Sequence, residues 1–153
     1  MVKYFLLLSM LTVSCTGPRE AKPESATALP IIGTWKLLSG TLVEKGDTTV
    51  TDYTRKLSFI KIINDSHFSF IMHDLKGGKD SAAAFSAGAG AYTLKGNAYT
   101  EHLEYCNDRN WEGNDFSFQV SIHGDTLVQT GIEKVAATGV DRLNTERYVR
   151  MIR

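Results

Sequence analysis

The chain has 153 residues, and its 17 Lys and Arg balance 17 Asp and Glu, so the formal net charge is zero. This length corresponds to about one domain. It is enough to bury a real core without disulfide or metal staples. The sequence has no basic stripe that could neutralise phosphates, which argues against a nucleic-acid partner.

The first fifteen residues predict an export signal. Lys3 supplies a positive charge, residues 4–13 form an apolar run, and Ser14 precedes Cys15. Such a run is too short for a hydrocarbon core of roughly 30 Å, which needs about twenty residues, but it suits a signal peptide. A small residue followed by Cys resembles the lipobox of bacterial lipoproteins. The resemblance implies a signal peptide at 1–14 and a lipidated Cys15; ordinary cleaved secretion and an uncleaved anchor are the alternatives.

Residues 15–31 are predicted to form the lipidated start and a flexible tether. They contain Pro18, Pro23 and Pro30 among small and charged residues. This composition buries too little apolar surface to offset the entropy lost on ordering. No acidic run follows Cys15, which favours an outer-membrane lipoprotein of the bacterial cell envelope whose domain faces the periplasm.

Residues 32–153 are predicted to form one all-β domain. Short β-rich runs alternate with Gly, Asn and Asp turns at spacings of about ten residues, and several of these turns suit tight hairpins. The eight predicted strands are 33–43, 55–63, 67–74, 87–94, 98–105, 115–122, 126–133 and 145–152, with longer connections at 44–54 and 134–144.

Eight antiparallel strands in sequential hairpins leave two bare edges unless the sheet closes. We therefore expect an eight-stranded antiparallel up-and-down β-barrel. A β-sandwich is the alternative, although it usually needs longer Greek-key crossings.

Alternation along the strands predicts which side chains point inward. The predicted inward residues are Phe68, Phe70, Met72, Tyr92, Tyr99, Glu101, Leu103, Phe116, Phe118 and Tyr148. Tyr105 is expected on the same face of its strand as Glu101 and Leu103, and Val120 and Ile122 on that of Phe116 and Phe118. Residues 87–91 alternate Ala and Gly, so their small side chains either leave room inside the barrel or let the strand curl sharply.

A motif at the two ends of the domain points to a known family. Gly33 and Trp35 form a Gly-x-Trp pattern on the first strand, and Arg147 and Arg150 lie on the last. This resembles the lipocalin and calycin signature, in which the Trp ring packs beneath a basic residue. The resemblance implies that Gly33, Trp35 and Arg147 close one end of the barrel through a cation–π contact.

From residue 32 to 153 the chain further resembles small lipocalin-like lipoproteins of Gram-negative bacteria. It lacks the structural disulfide of secreted lipocalins and any obvious C-terminal helix. The resemblance implies a small hydrophobic or amphipathic ligand inside the barrel, held by Phe70, Met72, Tyr92, Tyr99, Glu101, Phe118, Tyr148 and Arg150. The other interpretation is that these aromatic residues simply form the core.

Glu101 carries the sharpest prediction, because a carboxylate among apolar neighbours must be paired or protonated if it is buried. Arg150 shares a face with Tyr148, so we expect a Glu101–Arg150 pair, either structural or ligand-binding. Cys106, unpaired once Cys15 is lipidated, is expected to be structural.

No metal site, cofactor or catalytic residue is expected. His67 and His73 lie about 20 Å apart on one strand, His102 and His123 are expected at the surface, and the acidic loop around Trp111 lacks an EF-hand spacing. The predicted function is non-catalytic ligand binding. Its rivals are a protein-interaction module with a filled barrel and an enzyme that uses Glu101 with Tyr99 or His102.

Overall fold

The computed structural model describes residues 29–79 and 83–152, so the predicted signal peptide, Cys15 and most of the tether lie outside the described residues. Within these two ranges the chain forms nine strands and one 3-10 turn. The strands are β1 Gly33–Glu44, β2 Asp47–Asp52, β3 Leu57–Ile63, β4 His67–Asp74, β5 Phe85–Lys95, β6 Ala98–Cys106, β7 Asp115–His123, β8 Thr126–Val135 and β9 Val140–Arg150, with the turn at Arg109–Trp111. No helix in these ranges is long and apolar enough to cross a bilayer.

The sheet closes on itself. Strands β3 to β9 follow one another in antiparallel pairs, β1 pairs with β3, and β1 also pairs with β9 from Trp35 to Val43. Eight strands, β1 and β3–β9, therefore form a closed up-and-down barrel, as the turn pattern predicted. The sandwich alternative is excluded by this closure. The barrel is compatible with a lipocalin-like fold.

Two predicted loops are in fact hairpins. Lys45 and Gly46 both adopt positive φ, 51° and 90°, which is the conformation of a two-residue hairpin turn. The chain after Gly46 consequently returns along β1 as the extra strand β2, from Asp47 to Asp52. At the other predicted loop, Val135 pairs with Val140, so β9 begins five residues before the predicted start at 145.

Trp35 is the centre of the closed end of the barrel. Its side chain is fully buried, and its indole Nε1 donates a hydrogen bond of 2.8 Å to the carbonyl oxygen of Ile31. The guanidinium of Arg150 lies 4.1 Å from the centre of the Trp35 ring. Arg150 also donates to the carbonyl oxygens of Pro30 and Ile32, at 2.6 and 2.8 Å.

The predicted closing residue Arg147 does not take this position. Arg147 is exposed, because Tyr148 and Arg150 occupy the inward positions of β9 and Arg147 alternates with them. Gly33 does belong to the closed end. Gly33 has a positive φ of 148°, which favours glycine, and a Cβ there would lie 2.5 Å from Nη1 of Arg150 and would shift the guanidinium.

The packed domain begins slightly before its predicted boundary at residue 32. Ile31, assigned by sequence to the tether, is 1% exposed and belongs to the core, and Leu29 packs against that core. The short N-terminal segment thus caps the closed end rather than hanging free of it.

The Ala/Gly-rich strand β5 contains two glycines that are required for different reasons. A Cβ on Gly88 would lie 2.6 Å from the ring of Phe70, so the missing side chain makes room for that ring. A Cβ on Gly90 would lie 1.8 Å from the carbonyl oxygen of His102, so β6 approaches the backbone too closely for any side chain. Gly88 thus makes room inside the barrel, as one of the two interpretations predicted, and Gly90 permits a close approach of two backbones.

A bulge on β6 corrects one predicted inward residue. Gly90 pairs with Leu103 whereas Ala89 pairs with Tyr105, which leaves Glu104 as an extra residue. An extra residue reverses the alternation beyond it. Tyr105 is consequently 66% exposed, so the inward prediction for it was wrong, and Cys106 points to the interior instead.

Candidate functional site

The barrel encloses a cavity of about 340 Å³ on the side of the core away from Trp35. This volume lies at the lower end of the roughly 300–1,000 Å³ range of small-molecule sites. Exposed Asn107 and Asp108 form part of its rim. Its walls are largely aromatic and aliphatic, with Leu42, Tyr53, Phe59, Phe70, Met72, Leu103, Trp111, Phe116 and Phe118.

Lys61 lies among the polar side chains of the cavity. Alternation along β3 places Phe59, Lys61 and Ile63 on the inner face, and Lys61 is only 2% exposed. Its Nζ donates to Oε1 of Glu101 at 2.6 Å and to Oε1 of Gln129 at 3.1 Å. Glu101 is itself 6% exposed, so the two charges form a buried ion pair.

Three aromatic rings surround the Lys61 ammonium. Its Nζ lies 5.8 Å from the ring centre of Phe68, 5.9 Å from that of Tyr99 and 5.4 Å from that of Tyr148. These distances allow cation–π attraction, which is stronger in a desolvated site than at a surface. The rings therefore offset part of the cost of burying the cation.

The predicted partner of Glu101 was wrong. Arg150 points to the closed end, where it contacts Trp35 and the carbonyl oxygens of Pro30 and Ile32, and Lys61 takes the place opposite Glu101. Glu101 is thus paired, as burial requires, but with a residue from β3.

Glu146 forms a second polar cluster. Its Oε2 accepts a hydrogen bond of 3.1 Å from Nε2 of Gln129 and one of 2.8 Å from the Tyr148 hydroxyl. Glu146 lines the cavity. Burial raises the pKa of the Glu146 carboxyl above its ordinary value, and the positive charge of Lys61 opposes that rise.

A third cluster lies closer to the rim. Nη2 of Arg142 is 2.7 Å from Oε2 of Glu133, and Nδ2 of Asn144 donates to the other oxygen of Glu133 at 2.7 Å. The guanidinium of Arg142 also lies 5.5 Å from the ring centre of Trp111. Arg142 is therefore held by a carboxylate on one side and an aromatic ring on the other.

The predicted ligand-binding residues divide into two groups. Phe70, Met72, Glu101 and Phe118 line the cavity. The other four, Tyr92, Tyr99, Tyr148 and Arg150, lie outside its lining. Of these, Tyr99 and Tyr148 are fully buried in the core.

Tyr99 and Tyr92 pack against each other below the cavity, with ring centres 5.2 Å apart. The Tyr92 hydroxyl donates to the carbonyl oxygen of Asn64, whereas no described residue bonds the buried Tyr99 hydroxyl. Burial raises the pKa of Tyr99 far above its ordinary value, and the negative charge of Glu101 adds to this. Tyr99 is consequently a neutral core residue.

Sequence reasoning missed much of the polar lining, namely Lys61, Gln129, Glu133, Arg142, Asn144 and Glu146. Strand alternation could have found several of them, because Lys61 lies on the same face of its strand as Phe59 and Ile63, and Glu146 lies on the same face as Tyr148. The late predicted start of β9 hid Arg142 and Asn144. Polar residues in a strand are usually assigned to the outer face. This assignment is wrong for a barrel whose interior contains polar side chains.

The histidines do not line the cavity, whereas Asp108 of the acidic loop reaches its rim. Nδ1 of His102 lies 2.8 Å from Asp115 on the outer surface. In the part of the chain that the structure describes, no three His, Cys, Asp or Glu side chains are grouped so that they could hold a metal ion. The Trp111 loop instead closes through Glu112, which accepts from the backbone N–H of Cys106.

The fold and the cavity together define a class: a closed antiparallel β-barrel with an amphipathic internal cavity. No family model matches the chain, and no curated protein matches it.

Proposed function

We propose that this chain is a membrane-anchored, lipocalin-like lipoprotein that binds a small hydrophobic or amphipathic molecule inside its barrel without chemically changing it. The supporting observation is the cavity of about 340 Å³, whose lining combines aromatic and aliphatic side chains with several polar and charged ones. Concave sites that combine apolar walls with convergent polar groups are typical of small-molecule binding.

The two rival functions have less support. A module that works only through its loops would have a filled barrel, yet Phe70, Phe118 and Tyr148 leave the cavity open. An enzyme based on Glu101 needs that carboxylate free to accept a proton, yet Glu101 lies 2.6 Å from Lys61 in a buried ion pair. His102 faces Asp115 outside the barrel, so it cannot act with Glu101.

Two neighbouring residues of β4 provide a matched test of binding in the cavity. Met72 lines the cavity, whereas Ile71 is 40% exposed on the outer face. Met72→Trp should fill the cavity and abolish binding of the apolar fluorophore N-phenyl-1-naphthylamine, and Ile71→Trp should leave binding unchanged. Equal binding by wild type and both variants would place the fluorophore outside the barrel and contradict the proposal. Native mass spectrometry of protein taken from its own membrane would then identify the cargo.

The membrane anchor is proposed from the lipobox-like Ser14–Cys15 sequence alone. Cys15→Ala should move the protein from the detergent phase to the aqueous phase in Triton X-114 partitioning. Cys106→Ala, which removes the other cysteine of the chain, should stay in the detergent phase. Unchanged partitioning of Cys15→Ala would contradict lipidation at this position and leave the barrel proposal intact.

A further inference from the structure

We propose that the cavity selects an amphiphile with a protonated amine head group, and that Glu146 is the residue that binds this head group. The inference rests on the proposed function, because it names the chemical class of ligand for the same cavity.

The two cations of the cavity are already occupied. Lys61 is bonded to Glu101 and Gln129, and Arg142 is bonded to Glu133. A carboxylate or phosphate head group would have to break one of these pairs and leave a buried Glu without its partner, which is costly. The lining therefore disfavours anionic ligands even though it contains basic residues.

Inside the rim on which Asp108 lies, Glu146 is the lining carboxylate that this pairing leaves without a cation. Its two hydrogen bonds, from Gln129 and Tyr148, both end on Oε2, and no described residue donates to Oε1. Apart from Asp108 on the exposed rim, the charged residues of the lining are Lys61 and Arg142 with Glu101, Glu133 and Glu146, which leaves one negative charge in excess when all are ionised. A ligand cation would compensate that excess.

Aromatic rings lie around the position of Glu146. On the neighbouring strand Glu146 pairs with Gly40, which lines the cavity. The ring of Tyr53 lies over Gly40, 3.3 Å from where a Cβ would be, and it packs edge-on against Phe59 with ring centres 5.8 Å apart. Phe59 in turn packs against Tyr148. Aromatic faces next to a carboxylate are the surroundings in which ammonium groups bind well.

The titration of Glu146 agrees with this geometry. Burial raises the pKa of its carboxyl, the charges of Glu133 and Glu101 raise it further, and Lys61 only partly opposes them. The positive charges of the protein therefore do not fully neutralise the negative charge of the Glu146 carboxylate. A bound ammonium would neutralise it and would favour the ionised form of Glu146.

The test compares three ligands of equal tail length, decylamine, decanol and decanoate, as competitors of N-phenyl-1-naphthylamine at pH 7. A charge-assisted hydrogen bond to a buried carboxylate should make decylamine bind about tenfold or more tighter than decanol. Decanoate should bind more weakly than decanol. Glu146→Gln should reduce decylamine affinity to that of decanol, whereas Glu104→Gln, on the outer surface, should change nothing.

The outcomes separate the two proposals. If decanol competes but decanoate binds as tightly as decylamine, or if Glu146→Gln leaves the ranking unchanged, the amine site is overturned and ligand binding stands. If none of the three competes, the proposed function fails and the amine site fails with it. Gln keeps an acceptor oxygen for Gln129 and Tyr148, so decanol binding by Glu146→Gln checks that the cavity is intact. Should that variant not fold, the wild-type ranking of decylamine against decanoate decides.

Discussion

The two ends of the barrel place a positive charge against aromatic rings in opposite ways. At the closed end, Arg150 covers Trp35 from outside and bonds to two backbone carbonyl oxygens. At the cavity end, Lys61 is inside the barrel at 2% exposure and depends on Glu101. A partly hydrated guanidinium is compatible with a ring and neutral acceptors, whereas a buried ammonium needs a carboxylate because desolvation is so costly.

The largest expected effect concerns the two tryptophans. Trp35→Ala should lower the free energy of unfolding by about 3–5 kcal/mol, because it opens a cavity in the fully buried end. Trp111→Ala, at the half-exposed rim, should cost less than half as much. Urea unfolding at pH 7 measures both. Equal losses would show that the rim is packed as firmly as the closed end.

Breaking the buried ion pair comes next. Glu101→Gln should cost about 3 kcal/mol, since it leaves Lys61 buried without a countercharge. The double variant Lys61→Met with Glu101→Leu should return close to wild-type stability, because replacing both charges removes the desolvation cost. A double variant as unstable as Glu101→Gln would contradict the ion-pair argument.

Substituting Arg150 and Arg147 of β9 one at a time tests which of the two closes the barrel. Arg150→Ala should cost about 1–3 kcal/mol, since it removes charge-assisted hydrogen bonds and the ring contact. Exposed Arg147→Ala should stay within about 0.5 kcal/mol of wild type. The same urea titrations measure this pair. A larger loss at Arg147 would restore the sequence-based assignment.

The smallest effect is the pH dependence of stability at Glu146. Its folded pKa is raised above the ordinary 4.5, so folding favours the protonated form. Stability of the wild type therefore falls as pH rises from about 4.5 through the raised value, and Glu146→Gln escapes this loss. The variant should match wild type at pH 4 and exceed it at pH 8 in urea unfolding. Glu104→Gln is the control, and a constant difference at both pH values would contradict the pKa direction.

The local parts of the fold were accessible from the sequence. Alternation in β4 and β7 predicted the inward Phe68, Phe70, Phe116 and Phe118, and Gly/Asn turns predicted the number of barrel strands. The site was accessible only in part. Phe70, Met72, Glu101 and Phe118 were found, but the extra residue at Glu104 turned Tyr105 outward, and no composition signal marks a single inserted residue.

What could be known from residue order alone was short-range: the period of each strand, the position of its turns, the buried Gly-x-Trp and the need of Glu101 for a partner. Which residue meets Glu101, which arginine covers Trp35 and which carboxylate is left without a cation were decided by barrel closure and strand register. The physical reason is the sequence separation over which each effect acts. Alternation and turn chemistry act within a few residues, whereas Lys61 and Glu101 are 40 positions apart, and strand register with closure brings them together.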